Sequence, residues 1–243
     1  MLFDKKKNKH REVGRIVIGE TTSGRDNGYS RLKDNVLYLN ADGNNKVIQV
    51  ESSMSAEGKT TVACNLAVSL GLMNKRVIIL DLDFRRPSVH RLFDISKETG
   101  ISEYMLGDID YKSIVKQSQY ENVEIITRGA EIHNSSLVLV SEKFKNLIAQ
   151  LREDYDFVIL DCPPVLQVSD YIHISKVSDG VLLIVAFGQT TKAQVAETAR
   201  ELKKNGANVL GSVITKYDWK KDKNINDVNY GYYYNYGYGE EDN

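Results

Sequence analysis

The chain has 243 residues, 42% of them hydrophobic, enough to bury the core of one α/β domain. Its formal net charge of -1 gives no general basis for holding nucleic acid. No run approaches the roughly 18 apolar residues that cross a bilayer, and Met1-Leu2-Phe3 is too short for a signal-peptide core.

Residues 1–25 read as a basic, flexible arm in which Lys5, Lys6, Lys7, Lys9 and Arg11 crowd together. Such a run is either a solvated terminus or an attraction to an anionic membrane face or an acidic partner. The domain itself is expected over 26–219. A helix is predicted over 27–38 from the spacing of Tyr29, Leu32 and Val36, followed by a strand over 46–50. The segment 60–73 carries Val62, Leu66 and Leu70 four residues apart beside Ala63 and Ala67, which gives one buried helix face. Further strands are predicted at 77–80, 123–126, 157–160, 181–186 and 209–215, and helices at 89–93, 141–152 and 192–204. Several strands are near-continuous apolar runs, as in a sheet covered on both faces. Strands alternating with helices predict an α/β fold, a doubly wound and mostly parallel sheet flanked by helices. Residues 220–243 read as a flexible, tyrosine-rich tail. Cys64 falls in a predicted helix and Cys162 just after a strand, without metal-ligand spacing, so both are expected as reduced thiols in a cytoplasmic protein.

Between the first strand and the helix after it lies Ser53-Met54-Ser55-Ala56-Glu57-Gly58-Lys59-Thr60. Its Gly-Lys-Thr end matches the close of a phosphate-binding loop, with Ser53 where the first glycine usually stands. Backbone N–H groups at a helix start attract polyanions, so Ser55, Ala56, Glu57, Gly58, Lys59, Thr60 and Thr61 are the expected nucleotide-binding residues. Lys59 suits the terminal phosphates and the Thr60 hydroxyl suits Mg2+. With Gly58 the one glycine left, Ser53 and Ala56 must supply loop shapes that glycine adopts more freely.

Two more segments leave apolar strands: Asp81-Leu82-Asp83-Phe84-Arg85-Arg86-Pro87 and Asp161-Cys162-Pro163-Pro164. In an open α/β sheet ligands collect at the carboxyl ends of the strands, the end that carries the phosphate loop. Asp81 and Asp83 lie two apart and share a face if the strand persists. Taken alone, an aspartate after a strand is as readily a turn or cap residue.

The three segments together resemble the Walker A, A′ and B set of the bacterial tyrosine kinases, cytosolic P-loop proteins of MinD/ParA-like fold that serve capsule and exopolysaccharide export. The likeness extends through Ser88-Val89-His90-Arg91-Leu92-Phe93, Gly100-Ile101-Ser102, Asn134-Ser135-Ser136-Leu137, Val165 and Ser169-Asp170. It implies ATP and Mg2+ as cofactors, with Thr60, Asp83 and Asp161 as metal ligands. Lys59, Asp81 and Asp83 become the catalytic residues, Asp81 accepting the tyrosine proton. Arg85 and Arg86 are candidates to neutralise phosphate or to face a neighbouring subunit.

Tyr230, Tyr232, Tyr233, Tyr234, Tyr236 and Tyr238 account for six of the chain's 14 tyrosines. By composition alone they form a low-complexity tail. Beside an ATP site they become the expected phosphoacceptors, modified in trans by a neighbouring copy. The resemblance also implies a membrane-anchored activator that recruits the protein to the inner membrane face, a cognate phosphatase and a ring of subunits. The family's ring-forming Glu-x-x-Arg-x-x-Arg pattern would fall on Asn27, Ser30 and Lys33, which depart from it. Two rival readings are a MinD/ParA-like ATPase switch and a nucleotide-binding scaffold of degenerate activity. Met54 stands where the switch ATPases carry a signature lysine, and that counts against the first.

Overall fold

Val77–Asp81 (β2) and Phe157–Asp161 (β5) are apolar up to a terminal aspartate, and every residue of both is buried. They sit mid-sheet, as expected of strands with no polar face to offer water. The computed structural model describes residues 15–16, 24–132 and 134–217. Within it Val47–Ser52 (β1), β2, Lys116–Gln117 (β3), Val123–Ile126 (β4), β5, Gly180–Ala186 (β6) and Val209–Thr215 (β7) form one sheet in the order β3-β4-β2-β5-β1-β6-β7. All pairings are parallel except that of the two-residue β3 with β4.

The helices are Gly24–Leu39 (α1), Lys59–Gly71 (α2), Val89–Leu92 (α3), Ile101–Leu106 (α4), Ser135–Val140 (α5), Glu142–Asp154 (α6), Tyr171–Ile174 (α7) and Lys192–Lys204 (α8), with a 3-10 turn at Tyr111–Ile114. Strand residues alternate between two cores. Ile79, Ile125 and Ile159 point to one side with Val62, Leu66 and Leu70 of α2 and Val36 of α1. Ile78, Leu80 and Leu160 point to the other with Phe144, Leu147, Ile148 and Leu151 of α6. The doubly wound expectation is met.

Two local expectations need correction. α2 is buried nearly all round rather than on one face, because α1 covers the side that would meet solvent. β2 ends at Asp81, so Asp81 and Asp83 do not share a strand face. β7 is the sheet edge, and Val209 and Ile214 are exposed despite their apolar character. On α1, Ser30 is exposed and Lys33 pairs with Asp34 at 3.1 Å. The basic run at Lys5–Arg11 and the tyrosines from Tyr230 to Tyr238 lie outside the described residues. Among the described residues no helix is long and apolar enough to cross a membrane.

Candidate active site

The chain turns from β1 into α2 through a loop whose shape is set by two residues in the left-handed region, Ala56 (φ 65°) and Gly58 (φ 94°). Glycine adopts that region freely, whereas alanine does so at a cost of about 1 kcal/mol. Neighbouring elements hold the loop in place. Glu57 is buried, its carboxylate accepting from the Met54 N–H (3.1 Å) and the Thr190 hydroxyl (2.5 Å). Thr215 at the end of β7 donates to the Glu57 carbonyl (2.6 Å), and Lys216 donates to the Ala56 carbonyl (2.5 Å). Ser53 is fully buried and accepts from the Thr198 hydroxyl of α8 (2.8 Å). The missing first glycine is therefore replaced by a serine anchored to a helix.

Strand register brings the acids to the loop. Asp81 and Asp161 are direct cross-strand partners at the ends of β2 and β5, and Val50 of β1 pairs with Asp161 on its other side. Asp161 accepts from the Lys59 ammonium (2.6 Å) and the Thr60 hydroxyl (2.7 Å), and Thr60 in turn accepts from the Ser88 hydroxyl (3.0 Å). Burial by itself depresses the Lys59 ammonium, but the charges of Asp161 and then Asp83 outweigh it and raise its pKa. Lys59 is a fixed cation. Asp83 accepts from the Arg86 N–H (2.9 Å), closing the turn after β2.

Lys59, Thr60 and Asp83 border a cleft of about 560 Å³. Of the expected nucleotide-binding residues, Ser55, Ala56, Gly58, Lys59, Thr60 and Thr61 line it, while Glu57 turns inward. Asp83 lines it too. Asp81 does not: it is fully buried, one oxygen capping α3 through the N–H groups of Ser88 (2.9 Å) and Val89 (3.0 Å), the other without a partner among the described residues. Burial first, then the adjacent Asp161 charge, raises the Asp81 pKa. Ser88, Arg91, Pro164 and Lys216 also line it and were not among the expected site residues. Lys216 had a signal, a lysine directly after a strand at the ligand-bearing end of the sheet. Ser88 and Arg91 were marked only by the family likeness that runs through Ser88–Phe93.

Mg2+ takes hard oxygen donors, keeps several waters, and needs only one or two carboxylates beside phosphate oxygens. The Thr60 hydroxyl and Asp161 within 2.7 Å of each other, with Asp83 on the same cleft, fit such an ion. Among the described residues no cluster of three or more His, Cys, Asp or Glu forms an all-protein metal cage.

Comparison with known proteins agrees with this geometry. The model of the AAA domain family matches residues 45–211. The chain is 30% identical over 230 residues to the tyrosine-protein kinase YwqD of Bacillus subtilis, covering 94% of this chain and 95% of that one. It resembles the kinase domain of Escherichia coli tyrosine kinase ETK, with a TM-score of 0.78, 26% identity, and coverage of 88% and 86%. It is also similar to the chimerical protein CapA2B2, with a TM-score of 0.77, 28% identity, and coverage of 83% and 92%. The septum site-determining protein MinD of Pyrococcus horikoshii, complexed with Mg-ADP, is more distant: TM-score 0.60, 25% identity, 70% of each chain.

Proposed function

This chain belongs to the bacterial tyrosine-protein kinases, P-loop proteins of the AAA domain family, and on that premise we propose that it transfers the γ-phosphoryl group of ATP to the tyrosines of its own C-terminal cluster, in trans. The observation that carries the reading is that buried Asp161 bonds both Lys59 (2.6 Å) and Thr60 (2.7 Å), which line one open cleft together with Asp83. The loop N–H groups and Lys59 hold the triphosphate. Thr60, Asp83 and Asp161 hold Mg2+, which when bound neutralises phosphate charge. Phosphoryl transfer chiefly requires alignment and charge neutralisation, and these residues are suited to both.

A phenol with a pKa near 10 keeps its proton at neutral pH, so transfer is aided by a carboxylate able to accept it. In this reading Asp81 takes the proton through its unpartnered oxygen, and the Asp83–Ser88 turn opens to admit the tyrosine. The raised pKa of Asp81 suits a base working near neutrality. A membrane-anchored activator, bringing the chain to the inner face of the membrane for polysaccharide export, is the partner proposed. The chimerical composition of CapA2B2 supports a second polypeptide working with such a domain.

The test is intact-mass analysis of the purified chain with MgATP, with and without a fused activator fragment. Phosphate should appear on residues 230–238, and Lys59→Met and Asp81→Ala should each lower incorporation by about 100-fold or more. Wild-type rates in either variant would sink the site assignment. ATP hydrolysis without phosphotyrosine would favour an ATPase switch, and nucleotide binding without turnover a scaffold.

A further inference from the structure

The phosphate loop has alanine where glycine would fit more freely, yet it holds Ala56 left-handed at φ 65°. What opposes that strain comes from the far side of the sheet. Two consecutive carbonyls of the loop are taken by two consecutive residues at the end of β7. The Thr215 hydroxyl donates to the Glu57 carbonyl (2.6 Å), and the Lys216 ammonium donates to the Ala56 carbonyl (2.5 Å). The same ammonium donates to the Gln189 side chain (2.7 Å) in the loop after β6. That loop is itself fixed: Thr190 donates to the buried Glu57 carboxylate (2.5 Å) and accepts from the Ala186 N–H (2.9 Å). Lys216 is left-handed as well (φ 55°) and lines the cleft.

Successive N–H groups around a left-handed residue form a concave site for anions. In such a site a bare carbonyl works against the ligand, because its oxygen carries negative partial charge. An ammonium on the Ala56 carbonyl removes that repulsion. It also supports a backbone conformation that alanine disfavours by about fivefold or more in population. A hydrogen bond from a charged donor is stronger than one from a neutral donor, so this bond can outweigh the bias. Thr215 supplies no such help at Ala56, since its bond goes to Glu57.

We propose that Lys216 is a positioning residue for the nucleotide: its ammonium holds the Ala56 carbonyl and so keeps the loop N–H groups in the arrangement that takes phosphates. The proposal rests on reading the cleft as a nucleotide site, and it is independent of where the phosphoryl group goes afterwards. Lys59 meets the ligand from the helix side of the loop. Lys216 acts through the loop backbone.

The test is calorimetric titration of the full chain with ATP and with ADP, each with and without Mg2+. Calorimetry reports stoichiometry separately from affinity, so unfolded material shows as a reduced site count and not as weaker binding. Lys216→Met should weaken ATP by about tenfold, the scale of one hydrogen bond from a charged donor. Lys216→Arg keeps the charge and the donors and should recover affinity to within about threefold of wild type. Ala56→Gly removes the bias that the ammonium opposes. In that background Lys216→Met should therefore cost only about twofold.

An equal cost in both backgrounds overturns the proposal, since the ammonium would then act on the ligand itself. Undiminished affinity in Lys216→Met also overturns it, while leaving the cleft as a nucleotide site. A wild-type chain that takes neither ATP nor ADP sinks the cleft reading and the proposal together.

Discussion

Glu51 offers a sharp physical test of the site's foundations. It lies on β1 two residues before Ser53, fully buried, with Oε1 accepting from the Gln49 side chain (2.6 Å) and Oε2 without a partner among the described residues. Burial pushes its pKa up to about 8, while the Gln49 hydrogen bond and the Lys59 charge only partly oppose the shift. The folded carboxyl is then neutral in a range where the unfolded one, at 4.5, is ionised. The unfolded state binds fewer protons throughout that window, so raising the pH favours unfolding. The loss is about 1.4 kcal/mol per pH unit between pH 4.5 and about 8, on the order of 5 kcal/mol in all. Below pH 4.5 both states are protonated and the contribution is fully present. Glu51→Gln keeps the shape and removes the ionisation. Urea unfolding of both proteins at fixed ionic strength, at steps from pH 5 to 7.5, isolates the effect from every other titrating group. The advantage of Glu51→Gln should grow by about 1.4 kcal/mol with each pH unit while the m-value stays unchanged. A difference that stays flat with pH would refute the reasoning, since it would mean that Glu51 ionises as readily folded as unfolded.

Two further outcomes follow from the loop and its acids. Ala56→Gly should stabilise the fold by about 0.5–1 kcal/mol by relieving the left-handed backbone at that position, measured by thermal or urea unfolding. A destabilised variant would show that the loop needs the Ala56 side chain. Asp161→Asn should free Lys59 from its 2.6 Å partner, so Mg2+-free nucleotide affinity is kept or improved, whereas the tightening on adding Mg2+ falls about tenfold or more. Nucleotide titrations with and without Mg2+ check this, and an undiminished Mg2+ effect would remove Asp161 from the metal site.

What could be read from the sequence follows from how each element is stabilised. β2 and β5 are apolar up to their final aspartate because they are buried on both faces, and β4 departs from that pattern only at the half-buried Glu124, so their runs mark them clearly. α6 was equally plain, since Phe144, Leu147, Ile148 and Leu151 form one stripe above an exposed face. α4, α5 and α7 span at most six residues, too few for a helical period to emerge. Their places are fixed instead by distant partners, as when Asp170 before α7 accepts from Ser135 (2.7 Å) and Ser136 (3.1 Å) of α5. Lys59 and Thr60 stood out in the sequence because the loop's chemistry constrains consecutive residues. The division between a sealed Asp81 and a cleft-lining Asp83 did not, because it depends on where β2 stops. The strand ends at Asp81, and the Leu82 N–H bonds to the Asp161 carbonyl (2.9 Å), a long-range contact that no local pattern encodes.

The cleft also shows how charge is sorted within a nearly neutral chain. Its floor is internally compensated, with Lys59 on Asp161 and Thr60 bonded to the same carboxylate. Its rim is not, since among the described residues Arg85, Arg86 and Arg91 have no carboxylate partner. An anion therefore gains attraction at the mouth before any floor contact breaks, and only a ligand able to compete with Asp161 for Lys59 reaches full depth. A triphosphate has the charge density to do so.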